Sequence, residues 1–517
     1  MSEQKNKSSD SQIVYPIGSK PRWPMALLLG IQQYLTMFGA TVLVPIIVGG
    51  AMKLPQEQLA LLISTTFFAS GVCTLIQQSP LGNRLPIIQG SSFSFLGPTF
   101  AIIGIVAAKK ITGTDPLWQL QIREIAGAIM IGSVVEMILG YTGIMGYVKR
   151  VISPVVVGPT IAMIGLALFS IGAPWMAGNW IISLLTLLAL ILYSQVFSQK
   201  SKIFLLFPVI LAIATGWLTA FIGTVSGLIP PDNAAYLKSE LITATPWFSF
   251  KPMMPFKWGF PEFSSSTLWA GVFGMFAGYL ASMIESVGDY YACARIAEAP
   301  VPTSRMISRG IGAEGIGCFI SGMLQICNGT TSYSENIGSI GLTRVASRRV
   351  VICGAAAMLF IPVFAKFGAL LATLPRPVVG AMFVGLFGMI ASVGLSNLQI
   401  VNMNNSRNLF VIGLSFFAGL SVPYHFNPLL SVNAQPIDWS AAGGVAQVLG
   451  NILQAILTTG MGVTAIVGIV LDNLLPGASR ADRGLEVWEK EASEEAWEKA
   501  EAEWAAMKEG EMRGGDR

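Results

Sequence analysis

The chain has 517 residues, of which 53% are hydrophobic and only 12% are charged. Soluble domains carry about 25% charged residues, so this much apolar surface cannot be buried in one water-soluble core. The formal net charge of +4 is small and spread along the chain, which argues against a nucleic-acid partner. The composition therefore predicts an integral membrane protein.

Apolar runs long enough to cross a membrane follow one another along most of the chain. A spanning helix needs about 20 apolar residues, and the runs lie near 25–49, 57–78, 123–141, 154–172, 180–197, 203–224, 267–291, 350–372, 377–394, 407–421 and 446–471. Shorter or broken segments lie at 86–107, 311–327 and 332–343. The sequence thus predicts about fourteen transmembrane segments.

Three regions follow from these runs. Residues 1–23 are a polar, basic N-terminal tail without the apolar stretch of a cleavable signal peptide. Residues 24–475 form the transmembrane domain, and residues 476–517 are a charged C-terminal tail. The segment 480–517 is rich in Ala, Glu and Lys, which predicts a solvated amphipathic helix followed by a disordered end. A regulatory or partner-binding role is the alternative.

The positive charges of the short loops predict the orientation, because cytoplasmic loops carry an excess of Lys and Arg. With a cytoplasmic N-terminus, the cytoplasmic loops hold Arg84, Lys149, Arg150, Lys200, Lys202, Arg295, Arg305, Arg309, Arg344, Arg348, Arg349 and Arg407. The opposite loops hold Lys53, Lys109, Lys110 and Arg376. We therefore expect both termini in the cytoplasm, and the features fit a bacterial inner membrane or a eukaryotic plasma membrane.

Acidic residues stand inside the apolar runs. Glu285 and Asp289 are four residues apart and share one helix face. Each charge at mid-membrane costs about 2.5–3.5 kcal/mol, so the pair predicts a site that binds a cation and substrate. The alternative is a salt bridge to a nearby arginine or a helix cap. For Glu136 and Glu314, a hydrogen bond between packed helices is the favoured interpretation.

Two broken segments, one in each half of the chain, predict a site at the membrane midplane. PIIQGSSFSFLGP and NGTTSYSENIGSIGLTR are rich in Gly, Ser and Thr. Irregular backbone at membrane depth is tolerated only where protein or a cavity receives its polar groups. Each is the third segment of its half, which is typical of an inverted repeat with a central binding site. Re-entrant packing segments without cargo contact are the alternative.

Few side chains suit enzyme chemistry. The five cysteines show no CxxC pair, and His425 is the single histidine. An enzyme needs a nucleophile–base pair or a metal, and neither is recognisable, so we predict no enzyme activity and no resident cofactor. Gln32 and Gln33 lie early in the first apolar run, where their amides suit either a planar ligand or hydrogen bonds between helices.

The stretch from Glu335 to Arg344, ENIGSIGLTR, resembles the signature of the nucleobase–ascorbate transporter family. The resemblance runs from about Pro24 to Trp488 and includes IREIAGAIM, ESVGDYYACARIAEAP, SRRVV, GLSNLQIVNMNNSRNLFV and LDNLLPGASRADRGLEVW. These strings are most similar to the sodium-dependent animal-type branch of ascorbate and nucleobase carriers.

The resemblance implies an all-α polytopic fold of fourteen segments arranged as two inverted repeats of seven. A core domain (spans 1–4 and 8–11) would move like an elevator against a gate domain (spans 5–7 and 12–14). Short strands in spans 3 and 10 would meet beside the substrate, and the protein would be a homodimer in membrane lipid.

The resemblance also implies residue roles. Glu285 and Glu335 match the positions that hold the base, Asn336 follows in the signature, and Phe93 matches a residue that contacts the base. Gln33 stands where many members have histidine.

Asp289 occupies a position that is histidine in some proton-coupled members and aspartate in sodium-coupled animal members. It is therefore the candidate Na⁺ ligand and, with Glu285, a cation-coupling residue. Ser91 and Ser92 are candidate neighbours of that cation, and Ser92 is also counted with the substrate-binding residues.

These observations predict cation-coupled uptake of a nucleobase such as uracil, xanthine or urate, with Na⁺ favoured and H⁺ the alternative. Ascorbate carriers typically have proline at the position of Glu335, and an ascorbate anion would be repelled by Glu285 and Glu335. A sodium-coupled carrier of ascorbate or another organic anion on the same fold is the second hypothesis, and a channel or membrane enzyme is the third.

Overall fold

A computed structural model provides the structure of the chain. It describes residues 13–108, 115–144, 151–166, 169–201, 203–204, 207–237, 240–263, 266–427, 434–435, 437, 449–450, 453–454, 456–488 and 493–506.

The fold is mostly helical. The elements of the first half are α1 Trp23–Ala51, α2 Gln56–Gln78, β1 Gln89–Ser91, α3 Leu96–Ala108, α4 Leu117–Tyr141, α5 Pro154–Leu166, α6 Phe169–Met176, α7 Trp180–Ile191 and α8 Pro208–Val225. The elements that follow are α9 Glu240–Ala244, α10 Ser266–Ile296, α11 Ser304–Met323, β2 Thr330–Ser332, α12 Ser334–Thr343, α13 Arg348–Phe360, α14 Ala365–Ala372, α15 Arg376–Ser396, α16 Ser406–Phe426, α17 Gly460–Leu474, α18 Leu485–Trp488 and α19 Glu494–Ala506.

Short turns of other helix types extend or connect these elements. The 3₁₀ turns are Phe93–Phe95, Phe197–Gln199, Lys251–Met253, Ile361–Val363 and Asn397–Ile400, and the π-helical turn is Leu192–Val196.

Helices long and apolar enough to cross a membrane are present throughout the described residues. Six meet this criterion: Gln56–Gln78, Trp180–Gln199, Pro208–Val225, Gly271–Ile296, Arg376–Ile400 and Ser406–Phe426. Trp23–Leu35 and Met37–Ala51, which meet at a bend of 49°, form a seventh when taken as one span. The chain is therefore a multi-pass membrane protein.

One predicted segment is interrupted in the structure. The run 350–372, predicted as one span, is divided into α13 and α14 by the 3₁₀ turn Ile361–Val363. Pro362 in this turn has no N–H to donate and its ring crowds the preceding turn, so a continuous helix is disfavoured.

The helices pack as two groups that alternate along the chain. The first helix group contains α1–α4, both strands and α10–α14, and the second helix group contains α5–α8 and α15–α17. The groups meet where α10 contacts α5 and α17 and where α1 contacts α8 and α15. Whether these groups move as a core and a gate stays a prediction.

Small residues let helices approach closely within the first helix group. A Cβ on Gly140 of α4 would overlap the backbone of Gly312 in α11, and a Cβ on Gly30 of α1 would overlap the backbone of α13 near Gly354. In lipid the attraction between helices comes largely from such close packing. These contacts hold the helices that surround the two strands.

The C-terminal tail differs from the prediction of a solvated helix. The helix itself is present as α19, but its Trp497 and Trp504 are buried, at 6% and 8% exposure. The amphipathic pattern therefore marks a face that packs against the rest of the protein. Residues 507–517, predicted as the disordered end, lie outside the described residues.

Candidate functional site

Two three-residue strands from the two broken segments pair at the centre of the candidate site. β1 and β2 are antiparallel, with Gln89 opposite Ser332 and Ser91 opposite Thr330, and every residue of both strands is buried. The ladder continues at both ends, where Ser92 N donates to Gly329 O at 3.0 Å and Tyr333 N donates to Ile88 O at 3.1 Å. Each segment thus supplies the backbone partners that the other needs away from water.

Amide side chains fasten the strands to each other. Asn336 Oδ1 accepts a hydrogen bond from Ile88 N at 3.0 Å, and Asn328 Nδ2 donates to Ser92 O at 2.8 Å. The predicted substrate residue Asn336 therefore holds the backbone just before β1. Its Nδ2 has no hydrogen-bond partner among the described residues.

Helix α10 brings one carboxylate to each broken segment. Glu285 Oε2 accepts from Ser94 Oγ at 3.1 Å, in the turn that follows β1. Asp289 accepts from Ser334 Oγ at 2.7 Å and from Ser332 Oγ at 2.9 Å, in and after β2. Asp289 is buried and Glu285 is half-buried. The predicted pair thus lies beside the paired strands β1 and β2, which we call the strand crossing. It belongs to one hydrogen-bonded network with both broken segments.

Glu314 of α11 is the third carboxylate in this network. Its Oε2 accepts from Ser286 Oγ at 2.6 Å, and its Oε1 accepts from Tyr290 OH at 2.7 Å and Gln89 Nε2 at 3.2 Å. It is 1% exposed. Besides bonding packed helices, as predicted, Glu314 connects α10 with β1.

The hydroxyl of Ser286 joins Glu314 to the second strand. It lies 2.8 Å from Thr331 Oγ1 and 3.1 Å from Ser332 Oγ. Since Ser332 also donates to Asp289, two carboxylates share one chain of hydroxyl groups. A change of charge or ligand at Asp289 would therefore reach Glu314 through oriented hydroxyls.

The remaining predicted residues have different neighbours. Ser91 Oγ lies 3.3 Å from the hydroxyl of Tyr333, and Ser92 Oγ accepts from Ser94 N at 3.1 Å. The serines of the second segment, Ser332 and Ser334, donate to Asp289, and the roles of Ser91 and Ser92 as neighbours of a cation stay predictions. Gln33 is buried and donates to Val345 O at 3.2 Å, in the chain that follows α12.

Phe93 forms a contact between the site and the second helix group. It is 7% exposed, and its ring meets Phe387 of α15 edge to face at a centroid distance of 5.1 Å. Phe387 stacks in turn on Phe383. Glu335 lies in the first turn of α12, but its side chain is outside the described residues.

Sequence reasoning missed the hydroxyl donors of the site. Ser94, Ser286, Ser332 and Ser334 all bond a carboxylate directly. The many serines in the sequence of the broken segments indicated such donors. The sequence could not show which serine bonds which carboxylate. The described residues contain no group of three or more His, Cys, Asp or Glu side chains placed to hold a metal ion.

Comparison with known proteins identifies the class. Residues 25–427 match the Permease family. The chain is 40% identical over 521 residues to solute carrier family 23 member 2 of Homo sapiens, covering 93% of this chain and 77% of that protein. It is 34% identical over 488 residues to nucleobase-ascorbate transporter 1 of Arabidopsis thaliana, covering 92% of each. The chain belongs to the nucleobase–ascorbate transporter family, and it is a transporter rather than an enzyme.

Solved structures of other transporters share the fold. Murine solute carrier 26 family member A9, an anion transporter in the inward-facing state, aligns with a TM-score of 0.57 at 14% identity, covering 78% of this chain and 66% of that one. The transmembrane domain of a cyanobacterial bicarbonate transporter aligns with a TM-score of 0.52 at 12% identity, covering 86% of this chain and all of that one.

The strand crossing predicts the effect of a Cβ at Gly90. A methyl group there would overlap the ring of Tyr333, which itself donates to Ser91 O at 2.9 Å. We expect Gly90→Ala to destabilise the folded protein by about 1–3 kcal/mol, the usual cost of overpacking, and to lower its thermal unfolding midpoint in detergent. Gly104→Ala is the control, because a Cβ at Gly104 meets nothing within 4 Å. Equal midpoints for the two variants would contradict the tight crossing.

Proposed function

We propose that the protein carries a nucleobase inward together with a cation, with Na⁺ favoured over H⁺. The observation that supports this proposal best is the pair of α10 carboxylates at the strand crossing, each bonded to a different broken segment. Glu285 is half-buried and accepts a hydrogen bond from the neutral hydroxyl of Ser94. A carboxylate in this setting can accept the N–H groups of uracil or xanthine.

The surroundings of Asp289 support a cation beside the base. The carboxylate and the hydroxyls of Ser332 and Ser334 provide oxygen donors, which hard cations prefer. Glu285 lies one helical turn away, about 6 Å along the axis, so the two negative charges repel each other at low dielectric. A bound cation offsets this repulsion. No histidine stands at these positions to relay a proton, which favours Na⁺.

Charge also favours a base over ascorbate. Ascorbate is an anion at neutral pH, so the carboxylate of Glu285 and the acidic signature residue Glu335 would repel it. The second candidate remains a sodium-coupled carrier of ascorbate or another organic anion, since the plant relatives are named for both cargoes.

The division into two helix groups supports an elevator-like mechanism. Both strands and α10 belong to the first helix group, so the site can move as a unit against the second helix group, which Phe93 touches through Phe387. In this proposal the first group is the core domain and the second is the gate domain. Fourteen spans in a 7+7 repeat, cytoplasmic termini and a homodimer stay predictions of the same proposal.

Cargo and coupling are tested together with the purified protein in liposomes. We expect saturable uptake of radiolabelled uracil or xanthine, raised about tenfold or more by an inward Na⁺ gradient, because the gradient drives the coupled ion. Uptake is compared with an inward proton gradient and with equal ion concentrations on both sides. Saturable sodium-dependent ascorbate uptake that neither base inhibits would overturn the nucleobase assignment.

The role of Glu285 predicts the outcome of Glu285→Gln. Glutamine keeps the size of the side chain and can still accept from Ser94, but its NH₂ group cannot accept a base N–H. We expect kcat/KM for base uptake to fall by about 10–100-fold, the loss of one charge-assisted hydrogen bond, with unchanged membrane insertion. Glu57→Gln, at an exposed position of α2, is the control. Uptake at the wild-type rate in Glu285→Gln would refute this role.

The role of Asp289 predicts a change in the sodium response. Asp289→Asn retains oxygen contacts to the serines but removes the charge that a bound ion offsets, so we expect the Na⁺ concentration for half-maximal uptake to rise about tenfold or more. Asp232→Asn, at an exposed position, controls for a general effect of charge. A wild-type sodium curve for Asp289→Asn would exclude Asp289 from coupling.

A further inference from the structure

The chain that leaves α17 is tied to the second helix group by a buried ion cluster. Asp472 of α17 pairs with Arg407 of α16 and with Arg483, each at 2.5 Å, and its side chain is fully buried. Ser153, just before α5, donates to the same carboxylate at 2.6 Å. Removing one partner of such a cluster leaves an uncompensated buried charge, which is strongly destabilising. The cluster therefore holds the chain after α17 against the second helix group.

The anchor continues to α18. Asn402, at the start of the connection to α16, donates through its backbone N to Asp482 O at 2.9 Å and through Nδ2 to Asp482 Oδ1 at 2.7 Å. Gly484 adopts a φ of +73°, where a Cβ would also lie 2.8 Å from Ile400 O. Leu485 is 1% exposed. The contacts of Asp482 and Gly484 therefore tie the chain just before α18 to the second helix group.

The next helix, α19, is docked on the first helix group. Trp497 Nε1 donates to Val301 O at 2.9 Å, in the connection from α10 to α11. Trp504 packs so closely on Gly18 that a Cβ there would lie 2.5 Å from the Cβ of Trp504. The two indole rings meet edge to face at a centroid distance of 6.0 Å. Two buried tryptophans are the anchors of this contact.

Ion pairs flank the tryptophans. Glu501 Oε1 lies 2.9 Å from Arg348 Nη2 at the start of α13, and Glu494 lies 3.7 Å from Arg305 at the start of α11. Arg348 is itself held by Arg84 O, which its Nε reaches at 2.6 Å. The helix therefore covers the connections that follow α10 and α12, two of the helices that carry candidate site residues.

We propose that α19 is a strap that joins the two helix groups in this conformation and slows their relative movement. Trp488 and Glu494 are six residues apart in sequence, and an extended chain spans at most about 3.3–3.6 Å per residue. The connection therefore reaches no more than about 22 Å. The two helix groups can move apart only until this connection is fully extended. A larger displacement requires α19 to detach from the first helix group. The inference rests on the proposed transport function, because it assigns a consequence to that movement.

The strap is tested in the full-length protein with Trp497→Ala/Trp504→Ala. The matched control is Glu498→Ala/Glu503→Ala, which alters exposed positions of the same helix. We expect the tryptophan variant to lose hydrogen-exchange protection over 494–506 and to raise the initial rate of uracil or xanthine uptake about twofold or more, since conformational steps often limit turnover. The control keeps both wild-type values.

A second measurement does not depend on knowing the cargo. Spin labels at Arg295→Cys, at the exposed end of α10, and at Asn404→Cys, before α16, report the distance between the groups. The five native cysteines are all buried, so the labels attach selectively. We expect one narrow distance population in the protein with the wild-type tail and a second population after the tryptophan substitutions.

The outcomes separate the two proposals. If the wild-type protein takes up neither base, the proposed cargo is wrong, and the label distances alone decide the strap. If 494–506 stays protected in the tryptophan variant, or becomes unprotected while uptake and label distances remain unchanged, the strap is overturned. A fall in uptake on release of α19 also overturns it, because a restraint cannot accelerate movement.

Discussion

The backbone of two extended segments has to be satisfied at membrane depth, and the pairing of β1 with β2 meets this demand. Each strand has only three residues, so neither forms a sheet alone, and each takes its partners from the opposite half of the chain. Asn336 and Asn328 extend the same exchange beyond the ladder. Where water cannot compensate, unpaired N–H and C=O groups are costly. The surrounding helices are therefore arranged around one short pair of strands, β1 and β2.

The chemistry of the site follows from this crossing. Because the two segments meet, one helix can present Glu285 to the first and Asp289 to the second at a spacing of one turn. The serine hydroxyls that donate to these acids are neutral and can reorient when a cation or a base N–H arrives. Glu314 adds a third acid through the Ser286 chain. In the proposed mechanism, cargo and cation act on one hydrogen-bonded network, which is the physical requirement for coupling.

The C-terminal region contacts both helix groups, one with each of its ends. The ion cluster at Asp472 belongs to the second helix group, and the tryptophan contacts of α19 belong to the first. A tail that looks like an independent, charged helix in sequence is thus the one described segment after α17 that reaches across to the site-bearing helices. Its contacts include the connection after α10 and the starts of α11 and α13, away from Glu285 and Asp289.

The sequence by itself determined the features that depend on near neighbours. Apolar runs predicted the membrane helices, and sequences rich in Gly and Ser predicted the two broken segments. The i, i+4 spacing placed Glu285 and Asp289 on one helix face. The family signature then identified the class of transporter. All of these features can be read within a window of some tens of residues.

Tertiary structure alone decided the partners. That Ser94 meets Glu285 across 191 positions, or that Gln33 bonds Val345 across 312, depends on how distant helices pack. The same holds for the contacts of Ser332 and Ser334 with Asp289 and for the burial of Trp497. A serine or tryptophan has the same local pattern whether it faces lipid, water or a carboxylate, so only the packed fold distinguishes these environments.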